Sequence, residues 1–94
     1  MSKRPSDKIR LQLVKEINEA FESFEPYAIC AAIGRAVREH NVAELARRTG
    51  LSRASIYRAF GGQQSPNFST VLCVLKAMEM NLEVNIRKRR TSHG

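Results

Sequence analysis

The residues of this chain with the richest binding chemistry lie in one short stretch near its middle. They offer hydroxyl, guanidinium, phenol and methyl groups, and they are Ser52, Arg53, Ala54, Ser55, Tyr57 and Arg58. An arginine can bond the O6 and N7 atoms of guanine, and an alanine methyl can contact the methyl group of thymine. Serine and tyrosine hydroxyls can bind backbone phosphates. We therefore predict that this stretch contacts double-stranded DNA in the major groove.

Two arginines outside the stretch, Arg47 and Arg35, are candidate contacts to the DNA backbone. For both, a solvated surface charge is an equal alternative. Tyr57 also has an alternative interpretation, as a half-buried aromatic side chain that covers the core.

The residues around the stretch predict a helix-turn-helix over residues 42–61. This motif needs a small residue where its helices cross, a glycine in the turn and branched apolar residues that hold the second helix. Ala46 and Gly50 meet the first two needs. The apolar positions are Leu45, Leu51 and Ile56. An ordinary helical hairpin would explain Ala46 and Gly50 but not the polar face.

Helical periodicity dominates the rest of the chain. It predicts helices over residues 7–24, 27–40, 42–48 and 53–60, and a last helix whose N-cap is Ser65 or Asn67. Residues 82–86 alternate apolar and polar, which is typical of a strand. The predicted fold is all-α, a helix-turn-helix bundle with an extra N-terminal helix and a short C-terminal β-strand. A lone strand lacks a hydrogen-bonding partner, which a second copy of the chain could supply.

The predicted organisation has three parts. Residues 1–26 form a basic arm and an amphipathic helix, residues 27–86 form the DNA-binding domain, and residues 87–94 form a basic, disordered tail. Two surfaces could pair in a homodimer, the strand over 82–86 and the apolar stripe of the N-terminal helix. The stripe comprises Ile9, Leu13, Ile17, Ala20 and Phe24. We favour the helix as at least part of the interface because of its larger apolar area, although it could instead fold back on its own domain.

Composition narrows the function classes. Sixteen basic and nine acidic residues give a net charge of +7 and a pI near 10.1, which attracts polyanions such as nucleic acid. Two cysteines without metal-type spacing, no export signal and no long apolar run predict a cytoplasmic, nucleoid-associated protein with no membrane partner. Since no nucleophile–base pair or phosphate loop is visible around His40 or His93, we expect no enzyme, metal or cofactor.

The stretch 42–60, followed by residues 67–72, resembles the addiction-module antidote proteins. The resemblance covers residues 27–86, and its specific parts are the GLSR-x-S-x-YR core, a proline shortly before F-x-TVL and a closing strand. It implies a lambda-repressor-like, dimeric prokaryotic repressor that binds its own promoter and neutralises a co-encoded toxin, typically a ribonuclease. The basic N-terminus differs from the usual acidic one. A stand-alone regulator without a toxin partner and a protein-interaction module of the same fold therefore remain alternatives.

Overall fold

A computed structural model describes residues 5–62 and 65–86 as a bundle of five α-helices. These are α1 (Asp7–Ser23), α2 (Pro26–Glu39), α3 (Val42–Thr49), α4 (Arg53–Ala59) and α5 (Phe68–Ala77). The all-α prediction is confirmed, and the first four helices end within one residue of their predicted bounds. The tail predicted over 87–94 lies outside the described residues, and the predicted division into three parts stays a prediction.

Local hydrogen bonds explain why the helices begin where they do. Four of the five N-caps accept a bond from the backbone N–H three residues later: Ser6 from Ile9 (3.3 Å), Asn41 from Glu44 (3.2 Å), Ser52 from Ser55 (3.0 Å) and Asn67 from Thr70 (2.8 Å). Each cap satisfies a donor that the first helical turn leaves unpaired. Of the two caps predicted for α5, Asn67 is therefore the one that the chain uses.

One apolar core joins the helices and holds α1 against α2. Leu13 and Ile17 of α1 are buried in it, as are Ile33 and Val37 of α2. Fully burying each such side chain stabilises the fold by about 1.5–3 kcal/mol. The centre of the α1 stripe is thus covered by the chain's own domain. The ends of the stripe, Ile9 and Phe24, are 42% and 77% exposed, so a contribution of α1 to part of a dimer interface stays a prediction.

A close approach between α2 and the end of α4 fixes the position of α4. Gly34 is buried there, and a Cβ atom at its position would lie 2.9 Å from the carbonyl oxygen of Phe60 and 3.3 Å from the Phe60 Cβ. The apolar periodicity of α2 does not predict that Gly34 is needed, because the residue that it contacts, Phe60, lies 26 residues later in the chain.

Residues 81–86 form neither a helix nor a strand in the described chain. The C-terminal strand predicted over 82–86 is therefore absent from the single chain. The physical reason is that a strand needs a second strand to take up its backbone hydrogen bonds, and the described helices offer none.

Candidate nucleic-acid interface

The turn between α3 and α4 is fixed by local hydrogen bonds. Gly50 ends α3 in the left-handed region, with φ of 78°, and donates its N–H to the carbonyl of Ala46 at 2.9 Å. The Thr49 hydroxyl donates to the Leu45 carbonyl at 2.8 Å and accepts from the N–H of Leu51 at 3.1 Å. Glycine adopts this backbone conformation without steric cost. The chain therefore turns sharply before Ser52 starts α4.

Two side chains anchor α4 to the core from its inner face. Ile56 is fully buried, and Phe60, which follows the helix, is 5% exposed. Since Ile56 and Phe60 are four residues apart, they lie on the same side of α4. The anchored inner face leaves the opposite side of α4 at the surface.

The outer face of α4 holds most of the predicted site. Its exposed members are Arg53, Ala54, Tyr57 and Arg58. Tyr57 is 52% exposed, which fits a half-buried ring at the edge of the core as well as a contact to DNA. The structure therefore brings these predicted residues together on one solvent-facing surface.

Ser52 and Ser55 are placed differently from the rest of the predicted site. Their hydroxyl groups are 2.9 Å apart and share a hydrogen bond, while the Ser52 hydroxyl also caps α4. Ser52 is exposed and Ser55 is half-buried. Both hydroxyls lie at the N-terminal end of α4, where the helix dipole favours an anion.

The predicted arginines fall into two groups by their partners. Arg53 and Arg58 make no ion pair with any described residue. Arg47 pairs with Glu44 on α3, and Arg35 pairs with Glu16 on α1 at 3.6 Å. The two arginines of α4 are consequently the predicted cations that are ready for an external anion.

Glu44 is the acidic centre of the α3 surface. Hydrogen bonds from Arg47 and then Arg48 hold the pKa of the Glu44 carboxyl below its usual range. Arg48 also donates to the Ala77 carbonyl at 3.2 Å, and it lies 3.7 Å from a carboxyl oxygen of Glu79. Arg48 thus ties α3 to the end of α5.

A shallow concavity of about 340 Å³ adjoins the outer face of α4. It is lined by Ser55 and Arg58 on one side, and by Ser65, Asn67 and Thr70 on the other. Sequence reasoning did not assign the residues of this second side to the site. The only feature of the sequence that marks these residues is the helix start after Pro66. Their closeness to α4 is a property of the fold. The polar surface of α4 therefore continues to the N-terminal end of α5.

Comparisons with known proteins agree with the resemblance seen in the motif residues. A family model described as "Probable addiction module antidote protein" matches residues 8–86. An uncharacterized protein of Haemophilus influenzae is 34% identical over 68 residues, which is 72% of this chain and 70% of that protein. No solved structure matches the chain. None of the helices in residues 5–62 and 65–86 is long and apolar enough to cross a membrane.

Proposed function

The chain belongs to the family of probable addiction module antidote proteins, and from that premise we propose that it is the antitoxin of a type II toxin–antitoxin module. In this proposal it also represses its own promoter, by binding a partly palindromic operator as a homodimer. The recognition element is α4, which enters the major groove of the operator.

The observation that supports DNA binding is the pair of exposed arginines on the outer face of α4. Arg53 and Arg58 are exposed and without an ionic partner among the described residues, while Ile56 on the opposite side is fully buried. Guanidinium groups on a rigid helix can bond guanine O6 and N7 in a fixed geometry. Together with the net charge of +7, these two arginines speak against the alternative of a protein-interaction module that does not bind DNA.

The neighbouring surface supports contacts to the phosphate backbone. Ser52 and Ser55 lie at the start of α4, and the concavity beside Arg58 leads to Asn67 at the start of α5. Phosphate contacts position the protein but carry no sequence information. Arg47 and Arg35 add a smaller contribution, because each must first give up the carboxylate that it contacts.

The size of α4 favours a dimer. Its seven residues span about 10 Å at 1.5 Å per residue, so one helix reaches only a few base pairs. Two copies would place a second α4 in the next major groove, about 34–36 Å away. We therefore propose a homodimer on two half-sites.

Binding-site selection from a random DNA library, followed by titration of the selected operator, tests the DNA-binding part. Arg53→Ala and Arg58→Ala should each weaken specific binding by about 1–3 kcal/mol, because each removes a bond to a base edge. Lys8→Ala is the control that removes one cation elsewhere, since Lys8 is exposed near the start of α1, and α1 contributes no residue to the proposed surface. If both α4 variants bound the operator like the parent protein, α4 would not be the recognition helix.

Co-expression with the product of the adjacent gene tests the antitoxin part. The neighbour alone should arrest growth, and the two proteins together should restore growth and purify as a complex. A harmless neighbour that does not co-purify would leave a stand-alone regulator of the same fold.

A further inference from the structure

The segment that follows α5 exposes a row of apolar side chains. Leu82, Val84 and Ile86 are 42%, 97% and 98% exposed, and the residues between them are polar. Since successive side chains of an extended chain point to opposite faces, these three would share one face in an extended conformation. An exposed apolar row of this kind stabilises a protein only when something covers it.

The backbone of the same segment is also unpaired within the described chain. The last backbone hydrogen bond before it is donated by Met80 to the Leu75 carbonyl at 2.9 Å. Residues 81–86 make no hydrogen bond to any other described residue. Unpaired N–H and C=O groups along an extended segment can pair with a second strand.

An apolar groove next to the segment could accommodate its apolar side chains. The groove has a volume of about 480 Å³ and lies between α1 and the chain after α5. Leu11 and Val14 of α1, Leu75 of α5 and Leu82 form its apolar walls, and Leu11 is 71% exposed. Because Leu82 already lies in the wall, the apolar face of the segment continues from the groove into solvent.

We propose that residues 82–86 pair with the same residues of a second copy of this chain, as an antiparallel two-stranded ribbon whose two-fold axis passes at Val84. The ribbon lays its apolar face over the α1 grooves of both copies. The inference rests on the proposed function, because DNA binding at two half-sites requires a homodimer. The geometry of the ribbon does not depend on DNA.

The register follows from which residues would face each other. Centred on Val84, Leu82 lies opposite Ile86 of the second copy, and Glu83 lies opposite Asn85. Centring on Glu83 would oppose two identical carboxylates, which is destabilising. Centring on Asn85 would oppose Leu82 to a lysine at position 88. The Val84 register pairs every apolar residue of the segment with another and also keeps the two Glu83 carboxylates apart.

Charge also favours a second copy at this segment. Each chain carries a net charge of +7, so two copies repel each other over most of their surfaces. Residues 81–86 contain a single charge, the carboxylate of Glu83. The paired residues themselves therefore add no repulsion between cations, and in this register the basic residues 87–90 of the two copies extend from opposite ends of the ribbon.

Disulfide cross-linking of the full-length protein tests the register. The background is Cys73→Ser, because Cys73 is exposed whereas Cys30 is buried. Val84→Cys should cross-link two copies under mild oxidation, since residues that face each other have Cα atoms about 4.5–5.5 Å apart. Glu83→Cys is the control, because the two copies of residue 83 would lie two positions out of register. At about 3.4 Å per residue, that offset puts their Cα atoms beyond the roughly 7 Å limit of a disulfide. Equal cross-linking of both variants, or none for Val84→Cys, would overturn the register.

Light scattering without DNA tests the interface itself. The parent protein should have the mass of a dimer, and Val84→Arg should halve it while the circular dichroism spectrum stays unchanged. Tyr27→Arg is the matched control, because Tyr27 is 67% exposed on α2, and it should remain dimeric. A monomeric parent, a dimeric Val84→Arg variant or two monomeric variants would each overturn the proposal. A dimer that binds no operator would instead refute the DNA-binding part of the proposed function and leave this interface standing.

Discussion

The contact between α2 and the end of α4 makes Gly34→Ala an informative perturbation. The new Cβ would lie 2.9 Å from the Phe60 carbonyl oxygen, which belongs to the backbone and cannot rotate away. It would lie 3.3 Å from the Phe60 Cβ, inside the optimal carbon–carbon separation of about 3.5–4.0 Å. We expect α4 to move away from α2 by a few tenths of an ångström.

Two effects of opposite sign set the magnitude. Alanine in a helix interior is favoured over glycine by about 0.8–1 kcal/mol. Overpacking of a close contact costs about 1–3 kcal/mol. The steric effect is larger, so the free energy of unfolding should fall by about 1 kcal/mol, the difference between the middle of the second range and the first. For a domain of this size, the melting temperature should then fall by about 4–8 °C.

Thermal unfolding followed by circular dichroism measures this loss. Ala31→Gly is the control, because Ala31 is exposed on the same helix and reports helix propensity without the contact. Specific DNA binding should also weaken in Gly34→Ala, since Phe60 directly follows α4. If Gly34→Ala instead raised the melting temperature by as much as Ala31→Gly lowers it, the close approach would not constrain the fold.

Three further variants probe the packing and the charges of the α3–α4 unit. Ile56→Ala should lower the free energy of unfolding by about 2–5 kcal/mol, because Ile56 is fully buried. Tyr57→Ala next to it should change it by no more than about 0.5 kcal/mol in a denaturant titration; similar losses would contradict the assigned faces. Glu44→Gln should lower the melting temperature slightly at neutral pH. Because the pKa of Glu44 is lowered in the folded chain, the Glu44 carboxylate stabilises the fold above the usual carboxyl pKa, and this stabilisation disappears as the pH falls through the lowered value. The melting temperatures of the variant and the parent should therefore converge in acid. The same variant frees Arg47 and should steepen the salt dependence of DNA binding. A melting difference that persists in acid would mean that the carboxylate charge is not its source.

Local signals in the sequence determined the helices and the chemistry of the α4 surface. The caps Ser6, Asn41 and Ser52 act on the N–H three residues later, so the information is complete within one turn. The exposed side of α4 follows equally from the helical period around Ile56. The resemblance carried by the motif residues is confirmed by the family match.

Tertiary structure alone decided which predicted residues are free to act. The pair of Arg47 with Glu44 spans three residues and could have been foreseen, whereas the pair of Arg35 with Glu16 joins two helices. The concavity between Arg58 and Asn67 likewise needs two segments that are distant in sequence. Periodicity within one helix carries no information about such contacts.

The same limit explains what helical and strand periodicity left open. Periodicity showed that α1 has an apolar stripe, but not that α2 covers its centre at Leu13 and Ile17. It showed alternation over 82–86, but a strand exists only with a partner to bond its backbone. Gly34 is the plainest example. A side chain at this position would collide with the carbonyl oxygen of Phe60, and only the folded chain brings that carbonyl near.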